Sequence, residues 1–198
     1  MQSLKMLVRI ALVVAASFAR AAEPPAPAPI HEQSEGVSRG KYLVDTSGCH
    51  DCHTPFKMTE AGPARDMERM LSGHPEQLEL PPAPPANGPW LVSMAGTGTA
   101  FAGPWGTSFA ANLTGDKDTG LGKWTSRTFI DTIRTGRHLG RGREILPPMP
   151  IPVYKNFTDQ DLTAIFAYLQ SIPAVKNKVP APRPPAAATS AANHAAGS

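Results

Sequence analysis

The sequence predicts an all-α protein, a small bundle of short helices, and three observations carry that prediction. Apolar residues recur at helical spacing in three segments that have recognisable caps at their ends. The chain carries 22 prolines and 17 glycines in 198 residues, which leave little room for long regular elements. The third observation is the run Cys49-His50-Asp51-Cys52-His53, which contains the only two cysteines and has the spacing of covalent c-type haem attachment. A Pro/Gly-rich chain has a limited apolar core of its own, and a covalently held porphyrin supplies the surface around which short helices and loops can pack.

The first helix is expected over Glu35 to Thr46, with Val37, Tyr42, Leu43 and Val44 as its apolar residues and Gly48 as terminator ahead of the cysteine run. The second runs from about Arg127 to Thr135, capped by Thr125 or Ser126, with Phe129, Ile130 and Ile133 on one side and Gly136 at its end. In the third, Thr158 is the cap and Asp161 its acidic partner, and Leu162, Ile165, Phe166 and Leu169 recur at i, i+3, i+4 and i+7 until Pro173 stops the helix. Gly40 lacks a side chain and would let the first helix approach the Phe166 to Leu169 face closely.

Other chemistries for the cysteine run fit less well. A thioredoxin-like redox pair wants a strand before it and a helix after it in an alternating α/β pattern, which residues 30 to 60 do not show. Structural zinc needs four ligands, usually two paired clusters, and no second cluster exists. A disulfide across so few residues closes a small loop and leaves His53 without a role. With haem, the two thiols form thioethers to the porphyrin edge and His53 offers iron an imidazole nitrogen.

At the N-terminus, Lys5 and Arg9 precede an apolar stretch from Ile10 to Phe18, and Ala19-Arg20-Ala21 follows as a small-residue cleavage site. Residues 1–21 are therefore expected to be a signal peptide, since the apolar run is about half the ~20 residues a membrane-spanning helix requires. Residues 22–33 read as a Pro/Ala-rich linker, 34–179 as one domain, and 180–198 as a disordered Pro/Ala-rich tail. Removal of 1–21 takes away Lys5, Arg9 and Arg20, lowering the 19 basic residues to 16 against 16 acidic ones. The apparent basicity belongs to the signal segment, and bulk attraction to nucleic acid or an anionic membrane is not supported. Membrane association is expected only through partners or an uncleaved signal, and the compartment is expected to be the periplasm.

The second iron face needs a ligand or an open position. Met149 is the leading candidate, because three prolines in Leu146-Pro147-Pro148-Met149-Pro150 fix φ and remove backbone donors, restricting a loop that delivers a thioether. Met58 is too near His53 to cross, Met67 and Met70 look like one face of a short helix, and Met94, His74 and His138 remain competitors. For Met67, Met70 and Met94 the gap-filling core role is preferred. The Pro55 carbonyl is a candidate acceptor for the His53 Nδ1 proton, equally well read as a turn proline. Arg134, Arg137, His138, Arg141 and Arg143 form a basic cluster, either solvated or facing propionates or an acidic partner. Trp105 and Trp124 are read as core residues before propionate donors. Asn112-Leu-Thr114 and Asn156-Phe-Thr158 match a glycosylation sequon and are read as structural.

These motifs resemble class I c-type cytochromes, and in particular the haem domains in cytochrome subunits of membrane-bound alcohol and gluconate dehydrogenases. The stretches that carry the resemblance are Arg39 to Val44, Ala111 to Trp124, Pro147-Pro-Met-Pro150 and the Asp159 to Leu169 helix, within about 36–56 and 105–177. The resemblance implies a cytochrome c-like bundle around one haem c attached through Cys49 and Cys52, with His53 and Met149 as iron ligands. It further implies a non-enzymatic carrier of single electrons whose partners are redox proteins: a dehydrogenase, an oxidase or another cytochrome. Unlike those subunits, the chain has one haem motif, which favours a free-standing carrier or a detached domain. A subunit of a specific dehydrogenase is an alternative, as is a haem enzyme or gas sensor with an open sixth site. No role is implied for Lys57 to Gly103, a segment suited to shielding a haem edge or forming a partner surface.

Overall fold

The computed structural model of the protein describes residues 30–84 and 90–185, with side chains from Ser34 onward. The segment 1–21, the linker up to residue 29 and the tail beyond Pro185 lie outside the described residues.

Helix α1 spans Ile30–Thr46, so it begins four residues inside the segment assigned to the linker. Val37, Leu43 and Val44 face the core, whereas Tyr42 is exposed beneath the Arg39 guanidinium. The helix ends where Gly48 takes φ 76°, a left-handed conformation that a glycine adopts without steric cost. Five residues, Cys49–His53, form the single turn α2. Helix α3, Ser126–Thr135, has Thr125 as its cap, accepting from the Thr128 amide, and Gly136 in the left-handed conformation at its end. A four-residue turn, α4, covers Ile151–Tyr154. Helix α5, Asp159–Ser171, is capped by Thr158, whose hydroxyl accepts from the Asp161 amide.

The three longer helices pack as their apolar faces require. At Gly40 a Cβ would lie 1.9 Å from the Ala164 carbonyl oxygen and 2.9 Å from Tyr168 Cβ, so α1 and α5 meet backbone to backbone. The contact is centred on Ala164 and Tyr168, and Arg39 pairs with Asp161 at 3.0 Å along its rim. Helix α3 joins through Phe129, whose ring centroid is 5.6 Å from that of Phe166. Leu43, Val44, Leu71, Leu121, Ile130, Ile133, Leu162, Ile165 and Leu169 complete one apolar core.

The all-α prediction is corrected by five strands. β1 (Phe56–Thr59) and β2 (Gly62–Arg65) form an antiparallel hairpin. β3 (Ser93–Met94), β4 (Ala100–Gly103) and β5 (Gly106–Phe109) form a second antiparallel sheet in that order. The fold is mixed, helices plus two small sheets, and most of the strand structure falls in the Lys57 to Gly103 interval to which the sequence assigned no role. The physical reason is length: strands of two to four residues are too short to display the alternation that identifies a strand. The β4–β5 turn is Pro104-Trp105, framed by the pair Gly103 and Gly106, and not an Asn-Gly type dipeptide.

The beginning of the Pro/Ala-rich tail is placed on the domain. Arg183 exchanges both backbone hydrogen bonds with Thr107 of β5 at 2.9 Å. Its guanidinium lies over the Phe109 ring and donates to the Leu80 carbonyl. Up to Pro185 the segment assigned to the disordered tail therefore extends the second sheet at its β5 edge. No helix among the described residues is long and apolar enough to cross a membrane.

Candidate functional site

Turn α2 puts Cys49, Cys52 and His53 on a single turn of backbone, entered through the left-handed Gly48. Both thiols are free. Burial pushes the Cys49 thiol up to about 11 and raises that of Cys52 as well. Protonated, poorly ionised thiols are the reverse of the depressed values that activate a redox Cys-x-x-Cys pair.

His53 is buried, and its Nδ1 lies 2.8 Å from the Ala111 carbonyl oxygen. A carbonyl only accepts, so Nδ1 carries the proton and Nε2 keeps its lone pair. Burial lowers the His53 pKa from 6.5, which keeps the ring neutral. Among the described residues the ring's hydrogen bonding is at Nδ1, which leaves Nε2 as the available donor atom. Ala111 thus has the part that the sequence offered to Pro55, whose carbonyl accepts from the Asp66 amide. The main chain of His53 is held too, its carbonyl accepting from the Gly73 amide at 2.8 Å.

Ala111 is positioned by a pair of segments lying side by side. Leu113 N–H donates to the Leu71 carbonyl and His74 N–H to the Ala110 carbonyl. Behind them sits Asn177, fully buried, whose amide nitrogen donates to the carbonyls of Ser72 and His74 while its oxygen accepts from the Glu76 amide and Arg69. Asn177 carries no sequence motif, and only the fold reveals its place in the architecture around His53.

Met149 is half-buried and packs against the same apolar core as Cys49. Its loop contains a cis Pro147–Pro148 bond, and the Ser108 hydroxyl of β5 donates to the Pro147 carbonyl at 2.6 Å. The loop continues into α4, whose Tyr154 hydroxyl donates to the Ser47 carbonyl and lies beside the Cys49 thiol. Burial raises the Tyr154 pKa, so the phenol keeps its proton. One side chain therefore ties the segment after Met149 to the turn before Cys49, a link that sequence spacing does not disclose.

The competitors for the second face are placed elsewhere. His74 is fully buried with both ring nitrogens engaged, Nδ1 with Thr99 Oγ1 at 2.9 Å and Nε2 with the Leu78 carbonyl at 3.1 Å. Met58, Met67 and Met94 are exposed, which corrects the core role preferred for the last two; Met70 does pack against the core. His138 is exposed in the loop after α3, 5.4 Å from the Trp124 ring. The Trp105 indole N–H is buried with no hydrogen-bond partner among the described residues. Trp124 packs against the core.

This donor set suits haem: two neutral thiols in the attachment spacing, an imidazole with its Nε2 lone pair kept available, and a thioether on a pinned loop.

No family model matches the chain. It is 25% identical over 167 residues to the fructose dehydrogenase cytochrome subunit of Gluconobacter japonicus, covering 81% of this chain and 27% of that protein. It is 29% identical over 132 residues to the gluconate 2-dehydrogenase cytochrome c subunit of Pantoea cypripedii, covering 67% and 22% respectively. Against the cytochrome c subunit of the quinone alcohol dehydrogenase of Gluconobacter oxydans, identity is 26% over 147 residues, 73% of this chain and 23% of that protein. The chain is thus similar to cytochrome subunits of dehydrogenases, and spans about a quarter of their length.

Proposed function

We propose that this chain is an exported c-type cytochrome that carries one haem c on Cys49 and Cys52, with His53 and Met149 as iron ligands, and exchanges single electrons with a dehydrogenase. The observation that carries this reading is His53: a buried neutral imidazole, its Nδ1 proton committed to the Ala111 carbonyl, on the same turn as two free thiols. The named relatives are dehydrogenase cytochrome subunits, which favours a dehydrogenase among the redox partners over an oxidase or a second cytochrome.

A haem held by His53 and Met149 would supply one-electron chemistry without making or breaking a bond, and the thioether would raise its potential. The chain's own residues supply the rest. The Ala111 carbonyl fixes the ring of His53 and increases its basicity as a ligand. Ser108 and the flanking prolines restrict the loop that presents Met149, and Tyr154 closes that loop onto the attachment turn. Burial of His53 and of the Val44, Leu71 and Leu162 core disfavours the extra charge of the ferric state. Residues 1–21 direct export, 34–179 form the haem domain, and the periplasm is where attachment occurs.

The test is spectroscopic, on the exported protein. A pyridine haemochrome spectrum with thioether-type bands and a mass increase of one haem support attachment; no added mass refutes it. Met149→Ala should abolish the charge-transfer band of thioether-bound ferric haem, and its persistence refutes the Met149 assignment. Rapid carbon monoxide binding by the reduced wild type refutes a closed sixth position and favours the gas-binding alternative.

A further inference from the structure

The segment between α3 and the Met149 loop is more ordered than a connection needs to be. From Gly136 to Ile145 it folds back on itself: Ile145 N–H donates to the Gly136 carbonyl, His138 N–H to the Arg143 carbonyl, and the amides of Gly140, Arg141 and Gly142 close the tip. This hairpin contributes little to the core, since residues 137–139 and 141–144 are all exposed. What it presents is charge. Arg137, Arg141 and Arg143 form no ion pair among the described residues, and Arg137 and Arg143 are hydrogen-bonded to backbone carbonyls, which leave their charge uncancelled. The neighbouring carboxylates of Asp131 and Asp159 are already paired, with Arg127 and Arg134. Glu144 is the one further carboxylate on the hairpin, so three guanidinium groups stand against one acid.

The position of this charge gives it meaning. A groove runs between the hairpin and the Met149 loop; Ile145, Met149 and Ile151 line it with Arg137 and Glu144, while Arg141 and Arg143 stand outside it on the exposed hairpin. An apolar floor at Met149 beside a hairpin that carries three exposed arginines against one glutamate is the arrangement of a docking face, where the charge steers and orients a partner and the floor allows close approach. Since residues 22–198 balance 16 basic against 16 acidic side chains, attraction must come from a local cluster and not from net charge.

We propose that the arginine hairpin is the docking face for an acidic surface of a redox protein, which places electron exchange at the Met149 end of the domain. This rests on the haem reading above. The experiment is voltammetry of the holoprotein on a gold electrode coated with a carboxylate-terminated monolayer, which stands in for the acidic face. At about 0.01 M salt the screening length is ~30 Å and the adsorbed protein should show a stable redox couple, lost near 1 M where the length is ~3 Å. Replacement of Arg137, Arg141 and Arg143 by Gln should lower the electroactive coverage by about a hundredfold at low salt, taking roughly fivefold per charge. A charge-matched control, Lys117→Gln, Lys176→Gln and Lys178→Gln, should leave it unchanged. The single variant Arg141→Glu, at the exposed tip, should weaken the couple without touching the hairpin's internal bonds. Equal loss in both triple variants overturns the proposal in favour of net charge, and no loss in the arginine variant overturns it outright. Arginine-dependent sedimentation with phosphatidylglycerol vesicles, without arginine-dependent electron exchange, overturns it in favour of a lipid surface. A protein with no haemochrome spectrum removes the haem reading itself; a haem protein indifferent to the arginines removes the docking face alone.

Discussion

Asn177 makes four side-chain hydrogen bonds from a fully buried position, and its removal has a calculable effect. Its Nδ2 donates to the Ser72 carbonyl at 2.7 Å and the His74 carbonyl at 2.9 Å, and its Oδ1 accepts from the Glu76 amide at 2.9 Å and Arg69 at 3.1 Å. The residue has 0% exposure, so water cannot replace these partners without the site opening. Asn177→Ala strands two buried carbonyls and an amide, at about 1 to 3 kcal/mol for each group left unmet, so a total near 3 to 5 kcal/mol is expected after partial relaxation. Urea denaturation of the holoprotein, followed by far-ultraviolet circular dichroism, reads this as a lower midpoint at constant slope. With a slope of about 2 kcal/mol per molar, the midpoint should fall by roughly 1.5 to 2.5 M. Asn177→Asp is the sharper variant. It keeps the shape and the acceptor for Arg69 but turns an oxygen toward two carbonyl oxygens, so it should be no more stable than the Ala variant at pH 7. Asp tolerated within about 0.5 kcal/mol of wild type would refute the hydrogen-bond assignment.

Three further outcomes are expected. Gly40→Ala should destabilise by about 1 to 3 kcal/mol, because its Cβ would overlap the Ala164 carbonyl, whereas Gly36→Ala, with nothing within 4 Å, should stabilise by about 0.5 to 1 kcal/mol; thermal melts giving the two variants the same sign would contradict the close approach of α1 and α5. Burial lowers the His74 pKa below 6.5, so the unfolded chain binds the proton more readily than the fold. Stability should therefore be constant above pH 6.5 and fall on acidification below it, by up to about 1.4 kcal/mol per pH unit from this group until the depressed folded value is reached. His74→Gln should flatten that slope, and an unchanged slope in chemical denaturation would show that His74 is not its source. Ser108→Ala removes the donor to the Pro147 carbonyl, with a cost of about 1 kcal/mol. It should also weaken the thioether charge-transfer band in ferric spectra taken at rising pH; a band as persistent as in wild type would show that the loop is held without Ser108.

The Cys-x-x-Cys-His motif, the three helices with their caps, and the glycine that brings α1 onto α5 could all be read along the chain, because each is a local pattern. A cap needs its partner three residues away, an amphipathic face repeats within one helix, and Cys49, Cys52 and His53 are neighbours in sequence. Thr125, Thr158 and Gly136 do in the structure what local chemistry requires of them. The sheets were illegible because strands of two to four residues leave no periodic trace, and their pairing is made by partners elsewhere in the chain.

What tertiary structure alone decided is which distant group completes each local pattern. His53 needed a carbonyl for its Nδ1 proton, and proximity in sequence suggested Pro55; the fold supplied Ala111, 58 residues away. His74 looked available as a ligand until Thr99 and Leu78 engaged both its nitrogens, and Met149 was a methionine in a proline frame until Ser108 and Tyr154 tied its loop to β5 and to the turn before Cys49. Residue type fixes what a side chain is able to do, and that information is carried position by position. Which of those capacities is used depends on partners brought near by burial of the common core, and buried polar groups must find them wherever the packed chain places them.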